Sequence, residues 1–155
     1  MEPITETEAL MQRISAIFHS MTFPGLSGRI RALSYEAGTV ALEFEVSAAL
    51  ANPFGALHGG VVATLLDACM GIAGTVKSGA ALAMPLAEMK ISFVRPIAPG
   101  TIIGTGETLR LGKNLAFIEG TLFSESGGVL ARATATACPT PWPGARTEPG
   151  PAPLG

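Results

Sequence analysis

One carboxylate stands alone in a long apolar stretch. From Val46 to Val76 the only Asp, Glu, Lys or Arg is Asp67, inside NPFGALHGGVVATLLDACMGIAGTVK (residues 52–77). An isolated acid in such surroundings is costly to bury unless it is hydrogen-bonded or its pKa is shifted. A carboxylate with a shifted pKa is also a candidate for chemistry, so Asp67 reads as the chemical centre. On a helix, the residues three, four and seven positions from Asp67 share its face, and here they include Ala63, Thr64, Gly71 and Gly74. Such small side chains leave room for another backbone or for a ligand. The plain structural alternative is close helix–sheet packing, with Asp67 capping a neighbouring loop. Upstream, His58-Gly59-Gly60 stands where the turn-prone Asn52-Pro53-Phe54-Gly55 gives way to the helix. A helix start presents free N–H groups and a partial positive charge. His58 at that point can cap N–H groups or fix the loop. Asn52 precedes a proline and is biased to extended geometry, where its amide can fix the loop.

The elements that must hold these groups follow from pattern. The apolar run predicts one long helix ending at about Ser78, with Val61, Val62, Leu65, Leu66, Ile72 and Val76 around most of its circumference, so that it is wrapped by the rest of the fold. Before it, Arg29–Glu36 and Thr39–Val46 read as strands joined at Ala37-Gly38. The second alternates cleanly, with Val40, Leu42, Phe44 and Val46 on one face and Ala41, Glu43 and Glu45 on the other, the mark of one covered face and one wet or interface face. After it come Met84–Val94, Thr101–Leu111, Leu115–Ser124 and Val129–Cys138, separated by Pro and Gly turns. Hairpin connections make the sheet mainly antiparallel. The layout is α+β, with one sheet curling around one helix.

At the N-terminus, Thr5–Met21 reads as an amphipathic helix with a Thr5/Glu8 capping box, broken by Phe23-Pro24-Gly25. The tail from Pro139 holds half of the chain's prolines and is expected to be extended and mostly outside the fold, with Trp142 pinning its start. The division is residues 1–25 as helix and linker, 26–138 as the main domain and 139–155 as the tail. A net charge of −2 with no basic run argues against nucleic-acid binding. Charged residues at 14% leave a charge-poor surface that an oligomer would partly hide. The span Leu57–Val76 is long enough for a membrane helix, but Asp67 and four glycines within it argue against one. No signal peptide is read at the start. Cys69 and Cys138 fit no zinc or CxxC spacing, so two buried free thiols in a reducing cytoplasm are expected.

Taken together, Asn52, His58-Gly59-Gly60, Asp67, the strand Glu88-Met89-Lys90-Ile91-Ser92-Phe93-Val94-Arg95-Pro96 and the turn Gly112-Lys113-Asn114-Leu115-Ala116 resemble the hotdog-fold acyl-CoA thioesterases. The branch they look most like is the phenylacetic-acid-degradation, or PaaI-like, group. The resemblance covers about Phe44 to Thr136. It implies a curved antiparallel sheet wrapped around one central helix. It also implies a homodimer with a shared active site at the interface, and a homotetramer built from two such dimers. By position it makes Asp67 the nucleophile or general base and the Gly59 N–H the oxyanion contact, with His58 and Asn52 orienting water, acid or substrate. Gly60, Ala63, Thr64, Gly71 and Gly74 would lie along the acyl group. Arg95, Arg110 and Lys113 would meet the phosphates of coenzyme A, with Lys90 and Arg132 as further candidates. No metal or redox cofactor is implied; coenzyme A enters only as part of the substrate. One departure stands out: many relatives carry a Ser or Thr at the start of the strand after the helix, and here that stretch is Met84-Pro85-Leu86-Ala87.

The function expected is hydrolysis of a small aryl- or medium-chain acyl-CoA to the free acid and CoA. A non-catalytic acyl-CoA sensor is the alternative. It is disfavoured because one N-terminal helix is too little for a helix-turn-helix. A hotdog hydratase ranks last, because its Asp and Asn-Pro would closely precede the His, whereas His58 lies five residues after Pro53.

Overall fold

A computed structural model of the chain describes residues 30–36 and 38–141. The expected Thr5–Met21 helix, its linker and the tail from Trp142 onward lie outside the described residues. In chain order the elements are β1 (Ile30–Glu36), β2 (Thr39–Val46), a 3-10 turn at Ala48–Leu50, α1 (Gly59–Lys77), β3 (Leu82–Ala83), β4 (Leu86–Phe93), β5 (Gly100–Leu111), β6 (Ala116–Ser124), β7 (Val129–Ala137) and β8 (Thr140–Pro141). Six strands form one antiparallel sheet in the order β1-β2-β5-β6-β7-β4. The short β3 and β8 pair separately, Leu82 with Pro141 and Ala83 with Thr140.

The alternation in β2 is realised: Val40, Leu42, Phe44 and Val46 are buried, while Glu45 is exposed. The same period sends Ile102, Gly104 and Gly106 of β5, Ile118, Gly120 and Leu122 of β6, and Ala131, Ala133, Ala135 and Ala137 of β7 to the helix side. Across the middle of that face Gly106 pairs with Gly120 and Gly120 with Ala133. These small residues let α1 lie close on the sheet. A β-carbon on Gly106 would run into the Cys69 carbonyl, and one on Gly104 into Cys69 Sγ. Packed over them, Leu65, Leu66, Met70, Ile118 and Leu122 are each less than 2% exposed, and each contributes about 1.5–3 kcal/mol of transfer free energy. Among the described residues, α1 is the one helix long and apolar enough to cross a membrane, but it is the core helix beneath this sheet.

Three expectations need correction. β4 does not form a hairpin with β5. It crosses to the sheet edge beside β7, with Lys90 opposite Thr134 and Phe93 opposite Ala131. The link back to β5 is tied down by Val94 and Arg95 N–H on the Leu130 carbonyl (2.9 and 3.1 Å) and by Leu57 N–H on the Ile97 carbonyl (2.7 Å). Cys138 is exposed rather than buried, because β7 ends at Ala137 and the chain turns there to donate Cys138 N–H to the Pro85 carbonyl (2.9 Å). Finally, α1 is not wrapped all round. Gly59, Gly60 and Asp67 are exposed, and Ala63, Thr64 and Gly71 are half-buried.

Candidate active site

That uncovered strip carries the candidate site residues of α1. Its start is built by Asn52. The Asn52 side-chain oxygen accepts from Phe54 N–H (2.9 Å) and Ala56 N–H (3.2 Å), and its backbone N–H donates to the Ala56 carbonyl (2.7 Å). The loop is closed by Gly55 at φ 79. It leaves Phe54 at the tip, 94% exposed. In this arrangement the Asn52 side-chain oxygen serves the loop.

His58 is the N-cap of α1, in extended geometry at φ −60, ψ 143, and its side chain caps nothing. Its carbonyl takes Val61 N–H (2.9 Å) and Val62 N–H (3.2 Å). The Gly59 and Gly60 N–H groups find no acceptor among the described residues, as the first turn of any helix leaves them. The N-terminus of α1 therefore presents two free, exposed N–H groups at the positive end of the helix dipole. Beside them stands Phe93, on the helix-facing side of β4. Its Cζ would be 3.4 Å from a β-carbon at Gly59.

Asp67 lies two turns further on. In the single chain solvent still reaches it, yet the walls around its helix face displace enough water to push its pKa above the ordinary carboxylate value. Loss of water is the only cause of that shift, since Asp67 has no hydrogen bond or ion pair with a described residue. Thr64, one turn earlier, spends its hydroxyl on the Gly60 carbonyl (2.9 Å). Gly60 and Gly71 have nothing within 4 Å of where a β-carbon would stand, so the strip is open at both. Gly74 differs from expectation: it is buried, and its space is taken by Met84 and Ile118.

The cationic candidates divide. Arg95 lies at the Phe93 end of β4, with its Nη1 against Gly128. Arg110 and Lys113 sit on the exposed β5–β6 hairpin. That end is marked by Leu111–Ala116–Ala137–Leu86 across the sheet and by Gly38 packed on Lys77 at the helix C-terminus. Within one chain they are thus at the opposite end of α1 from His58 and Gly59. Lys90 and Arg132 are exposed on the outer side of the sheet. The residues that sequence reasoning did not single out are Met89, Ile91 and Phe93, which line the helix-facing side of β4 beside the open strip. Their period-two spacing is the available signal.

A family model described as the thioesterase superfamily matches residues 54–131, half of the chain and all of this site from Phe54 onward. The chain belongs to the thioesterase superfamily. Among curated proteins it is 31% identical over 127 residues to acyl-coenzyme A thioesterase 13 of Homo sapiens, covering 80% of this chain and 89% of that one. It is 30% identical over 92 residues to the proofreading thioesterase EntH of Klebsiella pneumoniae subsp. pneumoniae, covering 59% and 67%. Among solved structures it is similar to the E. coli PaaI protein from the phenylacetic acid degradation operon, with a TM-score of 0.75 at 20% identity over 88% of this chain and 96% of that one. The fold is the hotdog, and this superfamily member is a thioester hydrolase.

Proposed function

We propose that this thioesterase hydrolyses acyl-CoA esters with a small aryl or medium-chain acyl group, at a site completed only by a second copy of the chain. The observation that carries the reading is the separation of its two chemical groups. Gly59 and Asp67 are eight residues apart on one helix, about 12 Å along the axis at 1.5 Å per residue. An oxyanion donor must lie about 2.7–3.1 Å from the oxygen it stabilises, and a general base must reach its proton directly or through one water. No single carbonyl satisfies both groups of one chain. An antiparallel copy of α1 crossing at Ala63 puts Gly59 of one chain opposite Asp67 of the other, twice. The strip at that crossing is small and open, with Gly60, Ala63 and Thr64. β4, at the sheet edge beside it, offers a free strand edge for the same pairing.

In this site the Gly59 N–H polarises the thioester carbonyl. The Asp67 carboxylate of the other copy, made more basic by loss of water, takes a proton from water as the water oxygen bonds to the carbonyl carbon. Collapse of the tetrahedral oxyanion breaks the C–S bond. The CoA thiolate leaves and is reprotonated, the acid is released and Asp67 returns to its ionised form. The chemistry calls on no metal or redox group. Met84-Pro85-Leu86-Ala87 offers no hydroxyl to the water, so placement of that water falls to Asp67 itself. The CoA moiety is read by cations near the helix N-terminus, Arg95 in the same chain and the hairpin residues Arg110 and Lys113 as supplied by assembly. The name of the human relative supports the substrate class. Pairing of two dimers through exposed apolar residues such as Leu109, Leu115 and Phe117 on the hairpin accounts for a tetramer.

The test is thiol release from phenylacetyl-, benzoyl-, hexanoyl- and palmitoyl-CoA. Hydrolysis of the small acyl groups is expected, with collapse in folded Asp67→Ala. Tight binding of acyl-CoA without thiol release would instead identify a sensor.

A further inference from the structure

From Asp67 toward the C-terminal end of α1, the helix face passes from open to shut within two turns. Gly71, four residues on, has no atom within 4 Å of a β-carbon position. Gly74, seven residues on, lies within about 20° of Asp67 around the helix and about 10 Å along it. There a β-carbon would meet Met84 Cγ at 2.5 Å, Ile118 Cδ1 at 3.0 Å and Met84 Sδ at 3.1 Å. Met84 is itself only 6% exposed. The thioether therefore occupies the room that the missing side chain of Gly74 leaves, and an unbranched side chain is suited to fill such a slot.

Met84 is held there by backbone on both sides. Just before it, β3 pairs with β8, Leu82 with Pro141 and Ala83 with Thr140. Just after it, the Pro85 carbonyl accepts from Cys138 N–H at 2.9 Å, and β4 enters the sheet at Leu86 opposite Ala137. Met84 is thus a side chain on an anchored segment, not on a free loop.

We propose that Met84 sets the length of the acyl group accepted at this site, a proposal that rests on the acyl-CoA thioesterase reading above. In the other direction from Asp67, toward the helix N-terminus, the strip is the crossing point with the second copy. The direction left to an acyl chain whose carbonyl carbon stands at Asp67 is over Gly71. It ends where Met84 closes on Gly74. Two helical turns of depth hold a chain of roughly six to eight carbons or one aryl ring. Longer chains meet the thioether.

The experiment is the chain-length profile of kcat/KM, from acetyl- to palmitoyl-CoA, for the wild type, Met84→Ala, Met84→Val, Met84→Phe and Gly71→Val, each checked for folding by thermal melting. The dodecanoyl-to-hexanoyl ratio is expected to rise on the order of tenfold or more in Met84→Ala and Met84→Val, the scale on which a pocket reads missing methylenes. It is expected to fall by a similar factor in Met84→Phe, and Gly71→Val lowers hexanoyl against acetyl. If Met84→Ala does not fold, the Val and Phe variants carry the comparison. Hydrolysis with an unchanged dodecanoyl-to-hexanoyl ratio in the folded Met84 variants overturns the role of Met84 and leaves the thioesterase reading standing. Absence of hydrolysis by the wild type toward every chain length overturns both.

Discussion

The ring edge of Phe93 lies against Gly59, so that a β-carbon at position 59 would sit 3.4 Å from Phe93 Cζ and 3.6 Å from Cε1. Those are ordinary contact distances, so a methyl group fits there while the backbone N–H stays where it is. The contact joins the start of α1 to the end of β4. It separates two roles a glycine can have at that point, as a space-maker and as a donor.

Gly59→Ala tests the first role and Gly59→Pro the second. Proline is well accepted at the first helical position, where its missing N–H has no helix partner to lose. His58 before it already holds ψ 143, the extended geometry that a following proline requires. Gly59→Pro should therefore fold and lose on the order of 10²–10³ in kcat as the oxyanion donor disappears, while Gly59→Ala stays within about tenfold of wild type. Steady-state kinetics with melting curves decide it. Equal losses in the two variants would remove the N–H from the mechanism.

Asp67 gives a pH signature of definite sign. Loss of water holds its pKa above the ordinary carboxylate value. A general base must be ionised, so kcat/KM should rise with pH along an acid limb whose midpoint lies above about 4. A midpoint at or below that ordinary value would contradict a desolvated base.

The same shift governs stability. Between the unfolded and the folded pKa of Asp67, the unfolded chain binds fewer protons, so stability falls as pH rises through that window. Asp67→Asn is predicted to melt at a higher temperature than wild type at pH 7, with the gain shrinking below about pH 4, where Asp67 is protonated in both states. Thermal melts of the two proteins across that pH range measure it. A lower melting temperature for Asp67→Asn at neutral pH would show that Asp67 stabilises the fold.

Much of the fold is legible in the amino-acid sequence. The apolar run around Asp67 announces α1, and Val40, Leu42, Phe44 and Val46 announce a half-covered strand, because both patterns are local. The place of β4 is not legible. Whether a strand pairs with its successor or crosses to an edge is decided by sheet order, and nothing local in Leu86–Phe93 reports it. Gly74 misleads for a related reason. In the sequence a glycine on the Asp67 face means room, but Met84 and Ile118, which lie outside the helix, fill that room. Asp67 reads as buried because every neighbour in sequence is apolar, yet the sheet covers only the other side of the helix. In the proposed dimer a second copy covers the remaining side.

Complementation between two inactive variants decides whether a second copy completes the site. Asp67→Asn and Gly59→Pro are each made alone, then unfolded together and refolded as a mixture. If Gly59 of one copy works with Asp67 of the other, each mixed dimer carries one site with both groups intact, and the mixture should recover about a quarter of wild-type activity, from half the dimers with one site in two. If both groups act within one chain, no mixture of the two inactive variants recovers activity, and a result at the level of the separate variants would rule out a site shared between two copies.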